Sequence, residues 1–376
     1  MPLISLRKLK VLYIISDIDK ALAFEWVALG LSRKFDLSFV VMGKSGSEFS
    51  IFLKTHDIRF HEISNEKYPS KLSKWLCVFK ILKKEKPSIV HTHLWQANIL
   101  GLSSAWVLRI KKRIYTRHHA LIHYNEFPTG LKWDKLCNRM ATHIIAISNN
   151  VKNILIDKDK VNSKKVFLIP HGFDLSYFQN VESDEITRLQ EKYKISPDFY
   201  PVVGVISRYE KWKGIQFIIP AFKELRKKYP KAHLILVNAH GNYSENIRGM
   251  LQSLSSSSYT EILFESNLAE LYKLYDVFVH IPVDGESEAF GQTYVEALAS
   301  GVPSVFTLSG IAPEFIIHEK NALVVQFENS MDVFKSIERI LENSELRTHL
   351  IAEGIESANL FSLSNMISQL EQLYES

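Results

Sequence analysis

Two glutamates, Glu288 and Glu296, flank a glycine, Gly291, within the stretch Asp284 to Pro303. Tyr294, Ala297, Leu298 and Gly301 follow that glycine at i, i+3, i+4 and i+7, which predicts a helix with one packed face beginning at Gly291. Glu288 then stands just before the helix and Glu296 about one and a half turns inside it. A rise of ~1.5 Å per residue separates them by up to ~12 Å. Between them lie the unpaired N–H groups of the first turn, at Gly291, Gln292 and Thr293, a ready site for an anion. A nucleotide sugar, with hydroxyl groups at both ends and phosphate in the middle, has the matching shape. Taken alone, the segment also reads as a surface helix with two solvated glutamates, Ala297 and Gly301 being small for packing.

A second set of candidates is cationic. Pro201 to Ile206 reads as a buried strand, and Arg208 and Lys213-Gly214 follow it. Two cations at a strand end facing the Glu288 segment would meet a diphosphate and neutralise its charge as it departs. Taken alone, Lys213-Gly214 is a weak signal, and Arg208 could pair with a surface acid. A third set is imidazole: His91 and His93 follow one strand, His118 and His119 another. Loops after strand C-termini line the crevice of a doubly wound sheet, so all four could face it. They lack a carboxylate or cysteine at metal-ligand spacing, so no metal site is expected. Asp17-x-Asp19 matches a metal-binding pair formally but follows the first strand, where it reads as a chance match.

These residues need a scaffold. The 376 residues suffice for two domains with a core each, and 46% hydrophobic with 23% charged residues is the balance of a soluble globular chain. A net charge of +5 suits an anionic ligand or an acidic membrane surface and does not itself indicate nucleic acid. Cys77 and Cys137 imply neither a disulfide framework nor a zinc site and suit a reducing cytosol. No apolar run reaches 18 residues, and the run Val11 to Ile15 behind Arg7, Lys8 and Lys10 is a first strand, too short for a signal peptide.

Short β-rich runs at Lys10–Ile15, Leu37–Met42, Ile89–His93, Arg113–Thr116, Thr142–Ile147 and Val166–Ile169 alternate with helical patterns at Ala21–Lys34, Ser70–Lys84 and Ala97–Arg109. That alternation predicts a parallel sheet covered on both faces. It resumes after Pro201 with strands at Ala232–Val237, Glu261–Phe264, Val277–Ile281 and Ser304–Phe306, a helix over Ile215–Tyr229, and amphipathic helices at Val333–Leu341 and Leu363–Tyr374. The first strand ends in Ser16-Asp17-Ile18-Asp19 without the glycines of a dinucleotide fingerprint, which disfavours NAD. In Ser70 to Lys86, Leu72, Trp75, Leu76, Phe79 and Leu82 recur at helical spacing among Lys71, Lys74, Lys80, Lys83, Lys84 and Lys86. Such a helix is either a domain helix with solvated lysines or a basic amphipathic helix on an anionic bilayer. Trp106 to Arg113 adds a second basic cluster.

Glu288-Ala-Phe290-Gly291-Gln292-Thr293-Tyr-Val-Glu296-Ala-Leu-Ala-Ser-Gly-Val-Pro303 resembles the Glu-x7-Glu motif of the retaining GT-B glycosyltransferases of family four. Further likenesses are Arg208 with Lys213-Gly214, Thr116-x-His118, Ile169 to Asp174 with Phe178, and Gly310 and Glu314 of the loop after the last strand. The resemblance implies two Rossmann-like domains facing across a cleft: 1–185 on the acceptor side, 199–360 holding the donor, and 361–376 as a helix crossing back. It implies an enzyme that moves a sugar from a UDP- or GDP-sugar to a hydroxyl of a glycan or lipid-linked acceptor, with anomeric retention and neither metal nor other cofactor. Glu288 would orient the sugar, with Glu286 its rival, and Glu296 would hold the ribose. Arg208 and Lys213 would stabilise the leaving group, His118 rather than His119 would serve the reacting end, and the backbone of Phe290 to Thr293 would meet the diphosphate. A cell-envelope role in the cytoplasm, peripheral to the membrane, is the matching expectation. An epimerase or hydrolase on the same architecture, or a non-catalytic scaffold subunit, are the alternatives.

Overall fold

The computed structural model describes residues 8–376; Arg7 of the N-terminal basic cluster lies outside them. The chain forms two compact units, one running to Phe173 and taking in Leu363–Ser376, the other spanning Asp174–Ser362.

The first unit is built on seven parallel strands: β1 (Lys10–Ser16), β2 (Asp36–Gly43), β3 (Arg59–Ser64), β4 (Ile89–His93), β5 (Lys112–Arg117), β6 (His143–Ala146) and β7 (Val166–Leu168), in the order β3-β2-β1-β4-β5-β6-β7. The apolar run of β1 is continuous because both of its faces are covered. Val11, Tyr13 and Ile15 enter one hydrophobic cluster, while Leu12 and Ile14 enter the other. The helix Leu363–Glu375 completes the first of these clusters with Met366, Leu370, Leu373 and Tyr374. Lys112 Nζ donates to the carbonyls of Leu373 (2.7 Å) and Tyr374 (3.1 Å), satisfying the end of that helix.

The second unit repeats the plan with β8 (Val202–Ile206), β9 (His233–Val237), β10 (Tyr259–Ile262), β11 (Val277–His280), β12 (Ser304–Phe306) and β13 (Leu323–Val324), all parallel, in the order β10-β9-β8-β11-β12-β13. Ile215, Ile218, Ile219, Phe222 and Leu225 form the buried stripe of the helix Ile215–Lys228 over this sheet.

Several details depart from expectation. Residues 174–198, read as the tail of the first domain and a linker, belong to the second unit. Their helices Leu175–Gln179 and Ser183–Tyr193 lie on the helix Leu268–Tyr272, with Phe178 buried against Tyr272 and Lys192 paired to Glu265 at 2.7 Å. β3 was missed because it is a sheet edge with only Ile63 fully buried, so it carries little apolar signal. β13 is too short to register. The strand expected at Glu261–Phe264 starts earlier and leaves Leu263 and Phe264 exposed. The helices Glu48–Thr55, Gly130–Met140 and Ser344–Ala358 were also not foreseen.

Candidate active site

In each sheet the strand order reverses once: at β1/β4 in the first unit and β8/β11 in the second. Ligand crevices open beyond strand C-termini at such points. The chemistry-bearing residues of the second unit cluster there. Beyond β8, a single turn Lys211–Lys213 ends at Gly214, whose φ of +78° and position against β11 admit no side chain; a Cβ would sit 1.9 Å from the carbonyl oxygen of Ile281. Val283 N–H donates to the Trp212 carbonyl at 2.9 Å, so the loop after β8 is stitched to the segment leaving β11. That stitching delivers Lys213 to Glu288.

Lys213 Nζ lies 2.6 Å from Glu288 Oε2, and both side chains are nearly buried. His280, at the end of β11 and 2% exposed, brings Nε2 to 3.4 Å from the same oxygen. Its ring meets Tyr294 edge-on at 4.8 Å. The Glu288 amide donates to Ser309 Oγ at 3.3 Å, tying the residue to the loop after β12. Burial would raise the Glu288 carboxyl, but Lys213 and then His280 overcome it and hold the group down at about 2. Burial pushes the His280 imidazole below its ordinary value, with Lys213 adding to the effect.

Gly291, with φ +84°, caps the helix Gln292–Ala299 as its sequence suggests. Thr293 Oγ1 is buried without a hydrogen-bond partner at this helix start, and Gln292 is exposed. Glu296 lies inside the helix, 6% exposed, and accepts a hydrogen bond from Tyr272 O–H at 2.9 Å. Burial pushes its carboxyl up to about 7, the tyrosine opposing.

Other expected residues fall elsewhere. Arg208 is half exposed at the end of β8, where its ion-pair partner is Glu210 at 3.9 Å; it does not reach Glu288. Phe290 turns its ring inward against Phe361, so contact with a ligand would come from its backbone neighbours. Glu286 is exposed, and Asp284 accepts from the amides of Glu286 and Ser287 as a turn-former. His280 and Tyr272 were missed. A histidine inside the apolar run Val277–Ile281 was a usable signal for the first; nothing local marked the second.

In the first unit, the histidines separate into two groups. His91 bonds Thr116 (2.9 Å) and Tyr374 (2.7 Å), and His93 Nδ1 lies 3.1 Å from His118 Nε2. His118 stacks on His171 at 5.4 Å. Burial keeps His118 well below the usual imidazole range, and it does the same to His93. His119 turns instead to Asp134, 3.2 Å away, with His123 at 2.6 Å from the same carboxylate oxygen. Sequence spacing offers these histidines no carboxylate, but the fold supplies one to His119. Asp134 is brought to them by the unforeseen helix Gly130–Met140.

Residues 187–357 match the family model described as glycosyl transferases group 1, and residues 27–177 match glycosyltransferase family 4. The capsular polysaccharide biosynthesis glycosyltransferase CapM of Staphylococcus aureus is 26% identical over 356 residues, covering 91% of this chain and 90% of that protein. The alpha-monoglucosyldiacylglycerol synthase of Acholeplasma laidlawii is 25% identical over 312 residues, 78% of this chain and 76% of that one. Among solved structures, Anabaena Alr3699/HepE in complex with UDP and glucose superposes with a TM-score of 0.82 at 20% identity, over 98% of this chain and 100% of that one. That likeness places the chain among two-domain α/β proteins of GT-B fold.

Proposed function

This chain belongs to the group 1 glycosyl transferases and is a glycosyltransferase, and we propose that it moves a sugar from a nucleoside-diphosphate sugar to an acceptor hydroxyl with retention at the anomeric carbon. The observation that carries the reading is the buried Lys213–Glu288 pair at the switch point of the second sheet, one helix turn from unpaired donors and within one helix of Glu296. Glu288, fixed as a carboxylate, accepts from hydroxyls of the donor sugar. Glu296 accepts from the ribose. The diphosphate lies at the start of the helix Gln292–Ala299, against its free N–H groups, and Lys213 shifts from Glu288 toward it as charge develops on the leaving oxygen. Arg208, half exposed at the end of β8, adds a second cation. With two cations and a helix N-terminus in place, the leaving group needs no divalent metal. His118 serves the acceptor end on the strength of the resemblance alone.

Either UDP- or GDP-sugars fit this description; HepE, solved with UDP and with UDP-glucose, supports UDP. CapM and the glycolipid synthase support a cell-envelope glycan or lipid-linked acceptor. Peripheral membrane contact at the cytoplasmic face is supported by the helix Lys71–Glu85, which leaves Leu72 and Leu76 exposed beside Lys71, Lys80, Lys83 and Lys84. Lys74 is not part of that face; it is buried, donating to Asn65 and Gln96. Among the described residues no helix is long and apolar enough to cross a membrane.

A donor-release screen tests the reading. Purified protein is incubated with UDP- and GDP-sugars in EDTA while free nucleoside diphosphate and thermal stability are followed. One donor that both stabilises the protein and turns over slowly supports it. Absence of binding to every donor overturns it in favour of a scaffold role.

A further inference from the structure

We propose that His119, His123 and Asp134 form a site for one divalent first-row metal ion, zinc in particular, that clips together the segment between β5 and the helix Gly130–Met140. Among the described residues, this is the one group of three such side chains whose donor atoms converge, all lying within 4.8 Å of one another. Two imidazoles and a carboxylate form a borderline N/O donor set that suits zinc. A tetrahedral ion with bonds of about 2.0–2.1 Å sets its ligand atoms roughly 3.3 Å apart. His119 Nε2 already stands 3.2 Å from Asp134 Oδ2, and His123 Nδ1, at 2.6 Å, needs to back away by less than the width of an atom. The ion would replace two N–H···O bonds by coordination, with the imidazole protons held on the opposite ring nitrogens.

Arg117, 1% exposed, sets Nη2 3.0 Å from Asp134 Oδ2, the oxygen that both imidazoles face, and 3.6 Å from Asp159, so it fixes where that carboxylate sits. Asp159 is fixed in turn by the Tyr124 hydroxyl at 2.6 Å. One arginine between two carboxylates leaves the group one net negative charge when the imidazoles are uncharged, so a cation improves its balance. Gly130 opens the helix directly against the His123 ring, where a Cβ would come within 2.6 Å. Trp95 covers that ring at 5.4 Å. His119 is the accessible member, 24% exposed, so an ion enters past it and water completes the coordination.

Untagged full-length protein, stripped with EDTA, is titrated with zinc by calorimetry and with cobalt by visible absorption, beside H119Q and D134N. About one ion per chain, a cobalt spectrum of low coordination number and a higher Tm with zinc are expected. H119Q should lose at least roughly ten-fold in affinity while its metal-free circular dichroism stays unchanged, because His119 is partly solvated. D134N should bind more weakly still, and its metal-free Tm reports the structural share of the carboxylate separately. No saturable binding by the native protein, or binding undiminished in H119Q, overturns the proposal and leaves an ion-paired hub. The outcome is independent of whether a sugar is transferred.

Discussion

Glu288 and Glu296 belong to one continuous motif and are buried to the same degree, 7% and 6% exposed, yet the protein holds them in opposite electrostatic states. Glu288 meets Lys213 and His280 and is kept ionised down to about 2. Glu296 meets a neutral hydroxyl from Tyr272, and burial pushes it up to about 7. Desolvation is the largest influence on both, so the partner decides the sign of the outcome. The difference leaves one position a permanent carboxylate beside a cation and the other a carboxyl that titrates near neutrality.

Breaking the pair that sustains the difference should have the largest effect. K213A removes both the cation proposed for the leaving group and the partner of Glu288. We expect turnover to fall roughly 10²–10³-fold or more, as for loss of one transition-state donor, and E288A to fall at least as far. Stripped of Lys213, Glu288 keeps only His280 beside it in a buried site, and the fold should lose roughly 3–5 kcal/mol in urea unfolding. The double variant K213M/E288Q should recover much of that stability and none of the activity. Full rates in either single variant would remove both residues from the site.

The second test uses pH. On the proposed reading the ionised form of Glu296 holds the ribose, so donor KM should rise as pH falls through about 7, while Glu288 stays charged. E296Q should raise donor KM roughly ten-fold at pH 8 and flatten the acid limb, since one pKa unit corresponds to about 1.4 kcal/mol. Stability runs the other way. A carboxyl whose folded pKa is raised favours the fold fully below its unfolded value near 4.5, and this is lost as pH climbs through about 7. Glu288, depressed, contributes above 4.5 and loses its contribution toward pH 2. E296Q should therefore be the more stable protein at pH 8, by on the order of 1–3 kcal/mol, a gain absent at pH 4.

A smaller effect is expected at His280. H280Q keeps an amide donor near Glu288 but loses the ring packed on Tyr294. We expect kcat to fall several-fold with donor KM little changed, because Lys213 still holds the carboxylate. An equal rise in KM would make His280 a determinant of the binding pocket instead.

How far the sequence disclosed this contrast follows from what is local. Glu288, Gly291 and Glu296 are spaced by one helix, and a 3.6-residue period makes that geometry readable. Lys213 was readable as a cation at a strand end, and its glycine neighbour proved to be required by the carbonyl of Ile281. The partners that set the two pKa values come from elsewhere. Tyr272 reaches Glu296 from a helix 24 residues upstream, and His280 depends on the register of β11. Asp134 joined His119 and His123 only through a helix whose pattern was too polar to be seen, while Arg208 looked equivalent to Lys213 and turned outward. Periodicity reports faces of single elements. Pairings across elements need the sheet order, which no spacing in this chain encodes.

Tyr272 offers the finest test. Its hydroxyl is the hydrogen-bond donor that opposes burial at Glu296, and its ring is fixed by Tyr275, Phe278 and Phe178, so Y272F removes one bond and no packing. A bond of this kind contributes about 1 kcal/mol net. Without it the Glu296 carboxyl rises further, so the acid limb of donor binding should move to higher pH and KM at pH 7 should grow roughly three- to five-fold. At pH 9, where the carboxylate is ionised in both proteins, most of the difference should vanish. In an E296Q background the tyrosine hydroxyl has no carboxylate to steady, and Y272F should then add little to KM, the coupling that a double-mutant cycle measures. A KM change equal at pH 7 and pH 9, and additive with E296Q, would instead mean that Tyr272 acts on the pocket through shape, leaving the charge state of Glu296 to burial alone.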